Sequence, residues 1–371
     1  MIGGPRRRWR VLASLLVAAP LQGQTPPWRL LRESGFTIPS TIANANSIAL
    51  LPNGHLLLRD NRPPYIHIID RTGRSIRAFV EHGAGPGHAT NPVRIGYLNG
   101  QVWLWDTATE RLSYFTLEGV LQRELPLAIH GDVIPRAANR FVVLPFFVYS
   151  PGGDSMRTIT INAIDSTGRL KERLFSYTGA IPTLTVPAGG GRTTVGGQPY
   201  FQVPYQAVFP HGNGLAVAFP AVMRRGTRTA FRLVRMDEAG KRLFDGWVDV
   251  PGVRTGPRQL DEAVAYLTSG PAAKDPAYAG RVRKAVRVPA FLPAFTVAMV
   301  GPGGETWLRD FALGRGGPGW FVVSATGSLL GRVTLGRDEQ LASITPDGRL
   351  VVRGEGADGE PTLTFYRVDR R

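Results

Sequence analysis

The chain has 371 residues, with 44 Lys and Arg against 28 Asp and Glu for a formal charge of +16, 43% hydrophobic residues and no Cys. That apolar share excludes bulk disorder, and the missing Cys excludes disulfides, thiolate zinc sites and Cys nucleophiles. The 45 Gly and 30 Pro make up about a fifth of the chain without a G-X-Y period, which excludes collagen and favours a turn-dense fold.

At the start, Arg6, Arg7, Arg8 and Arg10 precede an apolar run from Val11 to Leu21 and the small residue Gly23. A basic stretch, a short apolar core and a small residue at the cleavage point make a secretory signal over residues 1–23. The run is shorter than the ~20 residues of a spanning helix, so no transmembrane segment is expected. Cleavage leaves an exported protein, periplasmic or extracellular, of residues 24–371. It removes four Arg and no acid, so the formal charge falls to +12. The remaining Arg are scattered singly, and the densest group, Arg281, Arg283, Lys284 and Arg287, lacks interleaved aromatics. No nucleic-acid partner is expected from that pattern.

From Ile48 onward a unit recurs: an apolar strand and turn, a second strand often ending in Asp, a third strand, then a tight Gly turn. The first copy runs Ile48 to Gly54, His55 to Asp60, Ile66 to Asp70 and Thr72-Gly73; the second runs Ile95 to Gly100, Val102 to Asp106, Leu112 to Phe115 and Glu118-Gly119. From Asp60 to Gly73 and from Asp106 to Gly119 the spacing is 13 residues in both. Further copies end at Asp165, Asp237, Thr326-Gly327 and Asp369, giving six. Short strands bounded by N-G, D-G and T-G turns argue antiparallel β structure. A repeat of about 46 residues, Gly73 to Gly119, with four strands fits a propeller blade. The fold expected is all-β: a six-bladed β-propeller of four-stranded antiparallel blades. The sixth copy stops after its third strand, so an N-terminal strand within Trp28 to Ile38 should close the ring.

Leu51 to Asp60, Ile69 to Arg74 and Gly83-Ala-Gly-Pro-Gly87 followed by Pro92 resemble six-bladed propellers of the NHL-repeat-like bacterial group. The resemblance covers most of residues 28–371 and implies the fold; that group is largely uncharacterised and implies little about function. His88 stands where the group commonly has an acid.

Two stretches break the period. Residues 176–204, with Gly189 to Gly191 and Gly196-Gly197, read as a loop insertion between blades three and four. Residues 257–288 read as a helical insertion between blades four and five, with Leu260, Val264 and Leu267 on one face and Tyr278, Val282 and Val286 on another. In an up-and-down blade, the turns between second and third strands share one face with the blade-to-blade connections. Both insertions belong to that face.

Chemistry is sparse. Asp60, Asp106 and Asp310 end equivalent second strands on that face and make a candidate carboxylate ring for a hard cation such as Ca²⁺; the alternative is that each accepts N–H bonds in its own turn. Asn46, Arg94, His130, Asp132 and Tyr205 are expected along the channel, with Arg94 and His130 placed to hold an anion. His82 and His88 flank a Gly-Pro turn on the same side. Gly314 to Gly319 satisfies G-x-G-x-x-G, but between two strands, where no helix N-terminus receives a phosphate. The pattern fits a ligand-binding or interaction module taking a small molecule, glycan or protein at one face of the ring. The alternative resembles lactonase or lyase propellers: a divalent-cation enzyme with its site in the axial channel.

Overall fold

The structure is a computed structural model that describes residues 27–45, 47–136, 140–146, 157–179, 182–187, 193–208, 214–237, 239–269, 276–311 and 319–370. Residues 1–23, read above as a secretory signal, Asn46 and all but the last residue of the 314–319 glycine motif lie outside those residues.

Six four-stranded antiparallel sheets form the blades of a propeller. Blade one is β2 (Ser47–Leu50), β3 (Leu56–Arg59), β4 (Ile66–Ile69) and β5 (Ser75–Phe79); blade two is β6 (Pro92–Leu98), β7 (Gln101–Asp106), β8 (Arg111–Phe115) and β9 (Leu121–Pro126). Blade three comprises β10 (Gly131–Arg136), β11 (Arg140–Pro145), β12 (Arg157–Ile164) and β13 (Leu170–Gly179), and blade four β16 (Tyr205–Val208), β17 (Leu215–Arg225), β18 (Arg228–Met236) and β19 (Arg242–Asp249). Blade five is β20 (Phe295–Val300), β21 (Thr306–Asp310), β22 (Gly319–Val323) and β23 (Leu329–Thr334). Blade six holds β24 (Gln340–Ile344), β25 (Leu350–Glu355) and β26 (Pro361–Asp369), and its outermost strand is the N-terminal β1 (Arg29–Thr37).

The second and third strands of the blades are buried on both faces, as β4 and β22 show throughout their length, so they read as continuous apolar runs. The turns from third to fourth strand repeat one design. In three of them Gly73, Gly168 and Gly240 donate N–H to the carbonyls of Asp70, Asp165 and Asp237, and each Gly has a φ of about +80°, a region costly to side chains. A register shift sits just before each of these turns, the bulge that accompanies a left-handed glycine.

Ring closure runs through β1, paired with β26 from Arg29 opposite Asp369 to Thr37 opposite Thr362. Ahead of it, Trp28 donates its N–H to the Arg332 carbonyl on the outer strand of blade five, at 2.7 Å. The Trp28 indole is buried edge-on to Trp307, with ring centroids 6.2 Å apart. It lies over Gly331, where any Cβ would stand 2.1 Å from the ring. The N-terminal segment thus ties blade five to blade six as well as completing blade six.

The first insertion is not a plain loop, and the two insertions are not separate. Within residues 176–204, β13 continues to Gly179 and a separate hairpin follows, β14 (Thr183–Pro187) with β15 (Thr193–Gly197). Its alternating β-branched residues favour strand over loop. Residues 257–288 hold α1 (Pro257–Leu267) and α2 (Pro276–Ala285). Leu184 and Val186 of the hairpin share a core with Ala263, Tyr278, Val282 and Val286 of the helical insertion, so the two insertions form one substructure. Buried Gln198 pins it, donating to the Thr183 and Ala285 carbonyls and accepting the Arg287 N–H.

Replacing Trp28 with Ala removes a core indole at the closure and is expected to cost about 3–5 kcal/mol in urea unfolding, with one cooperative transition; a small loss confined to fraying of β1 would argue against closure through this strand. The Asp turns give a pH dependence. The Thr72 hydroxyl, aided by the Thr72 and Arg74 N–H groups, lowers the Asp70 carboxyl to about 2, and Asp165 is lowered in the same way, chiefly by the Thr167 hydroxyl. A folded-state pKa below the unfolded value gives stability that is present above about pH 4 and lost as pH falls through the folded value. The melting temperature should therefore drop between about pH 4 and pH 2, and the double variant Thr72→Ala, Thr167→Ala should flatten that drop.

Candidate functional site

The face that carries the blade-to-blade connections also carries the ends of the second strands. Asp60, just beyond β3, and Asp106, at the end of β7, are each 1% exposed. Asp60 accepts N–H bonds from Ala43 and Asn44 on the incoming connection and from Asn61 and Arg62 in its own turn. Asp106 repeats this with Thr90, Asn91, Ala108 and Thr109. Each carboxylate therefore clamps the connection into its blade to the turn beside it and satisfies four backbone donors that would otherwise be buried unpaired.

Asp310 has the equivalent position in blade five without the equivalent donors. Pro293 has no N–H, and the Ala294 N–H is taken by the Pro220 carbonyl. Its carboxylate instead pairs with Arg332 across the blade, and burial pushes its pKa up against that pairing. The three aspartates are thus separate structural units, and among the described residues no three His, Asp or Glu side chains come together as a metal site. Both oxygens of Asp60 and of Asp106 are engaged by backbone donors, so each carboxylate serves its own turn and connection rather than converging with the others on a shared cation.

The positions before those aspartates hold Arg59, Trp105 and Arg309. Arg59 donates to the carbonyl of Pro92, the first residue of the inner strand of blade two, at 3.1 Å. Trp105 makes the same latch one blade on, from its indole N–H to the Gly131 carbonyl at 2.9 Å. Arg353 of blade six donates to the Asn44 side chain at 2.6 Å, and Asn44 is itself held by Asp60. Arg94, half-exposed, is paired with Asp132 at 2.7 Å. Burial lowers the Arg59 pKa most, and repulsion from Arg94 outweighs attraction from Asp60. Arg353, Arg59 and Arg94 therefore mark an arc over three successive blade junctions, reaching Asn44, the Pro92 carbonyl and Asp132 in turn.

The remaining expected channel residues stand apart. His130 is exposed and edge-on to Phe146, centroids 5.5 Å apart, while the partner of Arg94 is Asp132. Tyr205 packs on Phe295 and donates to Gln202, and burial raises its pKa. His82 bonds the Tyr65 hydroxyl, and His88 the Pro86 carbonyl. Sequence reasoning missed a cleft of about 440 Å³ between blades four and five, lined by Val222, Val250, Leu292, Asp310, Phe321 and Arg332. Phe311, also on its wall, touches Tyr200 of the insertion substructure, with centroids 5.9 Å apart.

No protein-family model matches this chain, and no curated protein matches it. Solved structures do. A member of the DUF4221 family from Bacteroides vulgatus is 11% identical, covers 93% of this chain and 99% of its own, and superposes with a TM-score of 0.51. An exported protein of Bacteroides fragilis follows at 10% identity, 92% and 95% coverage and a TM-score of 0.47, and a streptogramin B lyase at 10%, 92% and 98% and 0.41. At 11% identity, the similarity to the first of these supports the fold alone.

The clamps and the ion pair should separate on mutation. Asp106→Asn leaves buried N–H groups without a charged acceptor and should cost about 2–3 kcal/mol in urea unfolding, whereas Asp310→Asn should cost under ~1 kcal/mol because it loses one partly exposed pair. The reverse order would reject the clamp assignment.

Proposed function

We propose that this protein is an exported propeller that binds an anionic small molecule at the mouth of its channel. The observation that carries the reading is the arc of Arg353, Arg59 and Arg94, in which the half-exposed Arg94 pairs with the largely buried Asp132. An anion placed there relieves the repulsion between Arg59 and Arg94 and gains charge-assisted hydrogen bonds. Asp60 lies beside Arg59, buried and engaged by backbone N–H groups, and its attraction for Arg59 is smaller than the repulsion from Arg94. Export follows from the N-terminal segment pattern, and no helix among the described residues is long and apolar enough to cross a membrane. Binding needs no catalytic set, and the site described supplies none.

Calorimetry with citrate and with inorganic phosphate at low ionic strength tests this. Saturable binding should weaken about tenfold in Arg94→Ala, the loss of one charge-assisted contact, with the melting temperature little changed because its pair with Asp132 is partly exposed and adds little stability. Unaltered affinity in that variant would remove the arc from the binding site. A calcium-dependent rise in melting temperature without any anion response would instead favour the cation-dependent enzyme.

A further inference from the structure

On the opposite face, where the first turns and the third-to-fourth-strand turns lie, an open cavity of about 530 Å³ lies between blades four and five. Its walls are mainly apolar, from Ala239, Leu243, Pro302 and Ala325, with Gly303 and Gly304 at one side. Arg235, near the end of β18, also lines it and is 0% exposed. Nη2 donates to the Gly304 carbonyl at 2.5 Å, while Nε and Nη1 meet no acceptor. The nearby acid Glu305 is itself buried, takes the Trp307 indole N–H at 3.2 Å and makes no ion pair with Arg235. Asp237 is turned to the Lys241 N–H.

A fully buried guanidinium with two unmet donors is costly, and such a group is retained where an anion completes it. The approach is kept clear by glycines: a Cβ at Gly214 would stand 3.0 Å from Nη2, and one at Gly304 3.5 Å from it. We infer that this cavity is a second binding site, distinct from the channel mouth, for a carboxylate carried on a small apolar body such as a short acyl chain. Arg235 receives the carboxylate, and Leu243, Pro302 and Ala325 take the chain.

The test compares hexanoate, hexanol and inorganic phosphate in thermal-shift titrations of the mature protein. Hexanoate should raise the melting temperature saturably, and neither hexanol nor phosphate should match it, because the site needs charge and apolar body together. Arg235→Met should abolish the response. Ala325→Leu, which narrows the cavity and leaves the guanidinium in place, should abolish it too, and it keeps the test open if the first variant folds poorly. A response to hexanol or phosphate equal to that of hexanoate, or a hexanoate response retained in either folded variant, overturns the proposal. Arg94→Ala should leave this response intact, which separates it from binding at the mouth.

Discussion

A ring of sheets without disulfides holds only if its last sheet is completed, and here that completion is one antiparallel pairing between β1 and β26. Everything on the connection face depends on it. Asn44, which joins Arg353 to the Asp60 clamp, lies on the chain that leaves β1 for blade one. The arginine arc is therefore built across the seam between the last and first blades. If the seam opened, Arg353 would separate from Arg59 and Arg94, so closure and site geometry are one property of the molecule.

The arc stands out against the rest of the charge. Several arginines are answered within their own blade: Arg111 by Glu124, Arg140 by Glu172, Arg228 by Asp249, Arg232 by Asp245. Such exposed cross-strand pairs add little stability, but they leave the surface mixed rather than uniformly basic. Local excess then survives where two cations face each other, as at Arg59 and Arg94, and where a buried cation has donors that meet no acceptor, as at Arg235. The first is open to solvent and the second faces a cavity, which makes them different kinds of recognition surface.

The repeats were legible because the turn chemistry is strict: the Asp-to-Gly spacing marks the left-handed glycines, and Trp28 to Ile38 reads as the strand that blade six lacks. The helices were legible from their spacing. The union of the insertions was not, since Leu184 and Val282 meet only in three dimensions. The aspartates looked equivalent from strand position alone, yet their roles depend on donors in another segment; Pro293, which cannot donate, was the one residue that could have distinguished Asp310. Arg235 gave no signal because its strand is buried on both faces, so alternation does not mark which way a charged residue points.

The first strand to be made pairs with the last. Until β26 exists, β1 has no partner and blade six has no outer edge, so the chain remains an open row of blades throughout its synthesis. Such a row can be threaded through a narrow passage in a way that a closed ring cannot. The same pairing that makes the finished molecule resistant to unravelling therefore postpones that resistance until the whole chain is available.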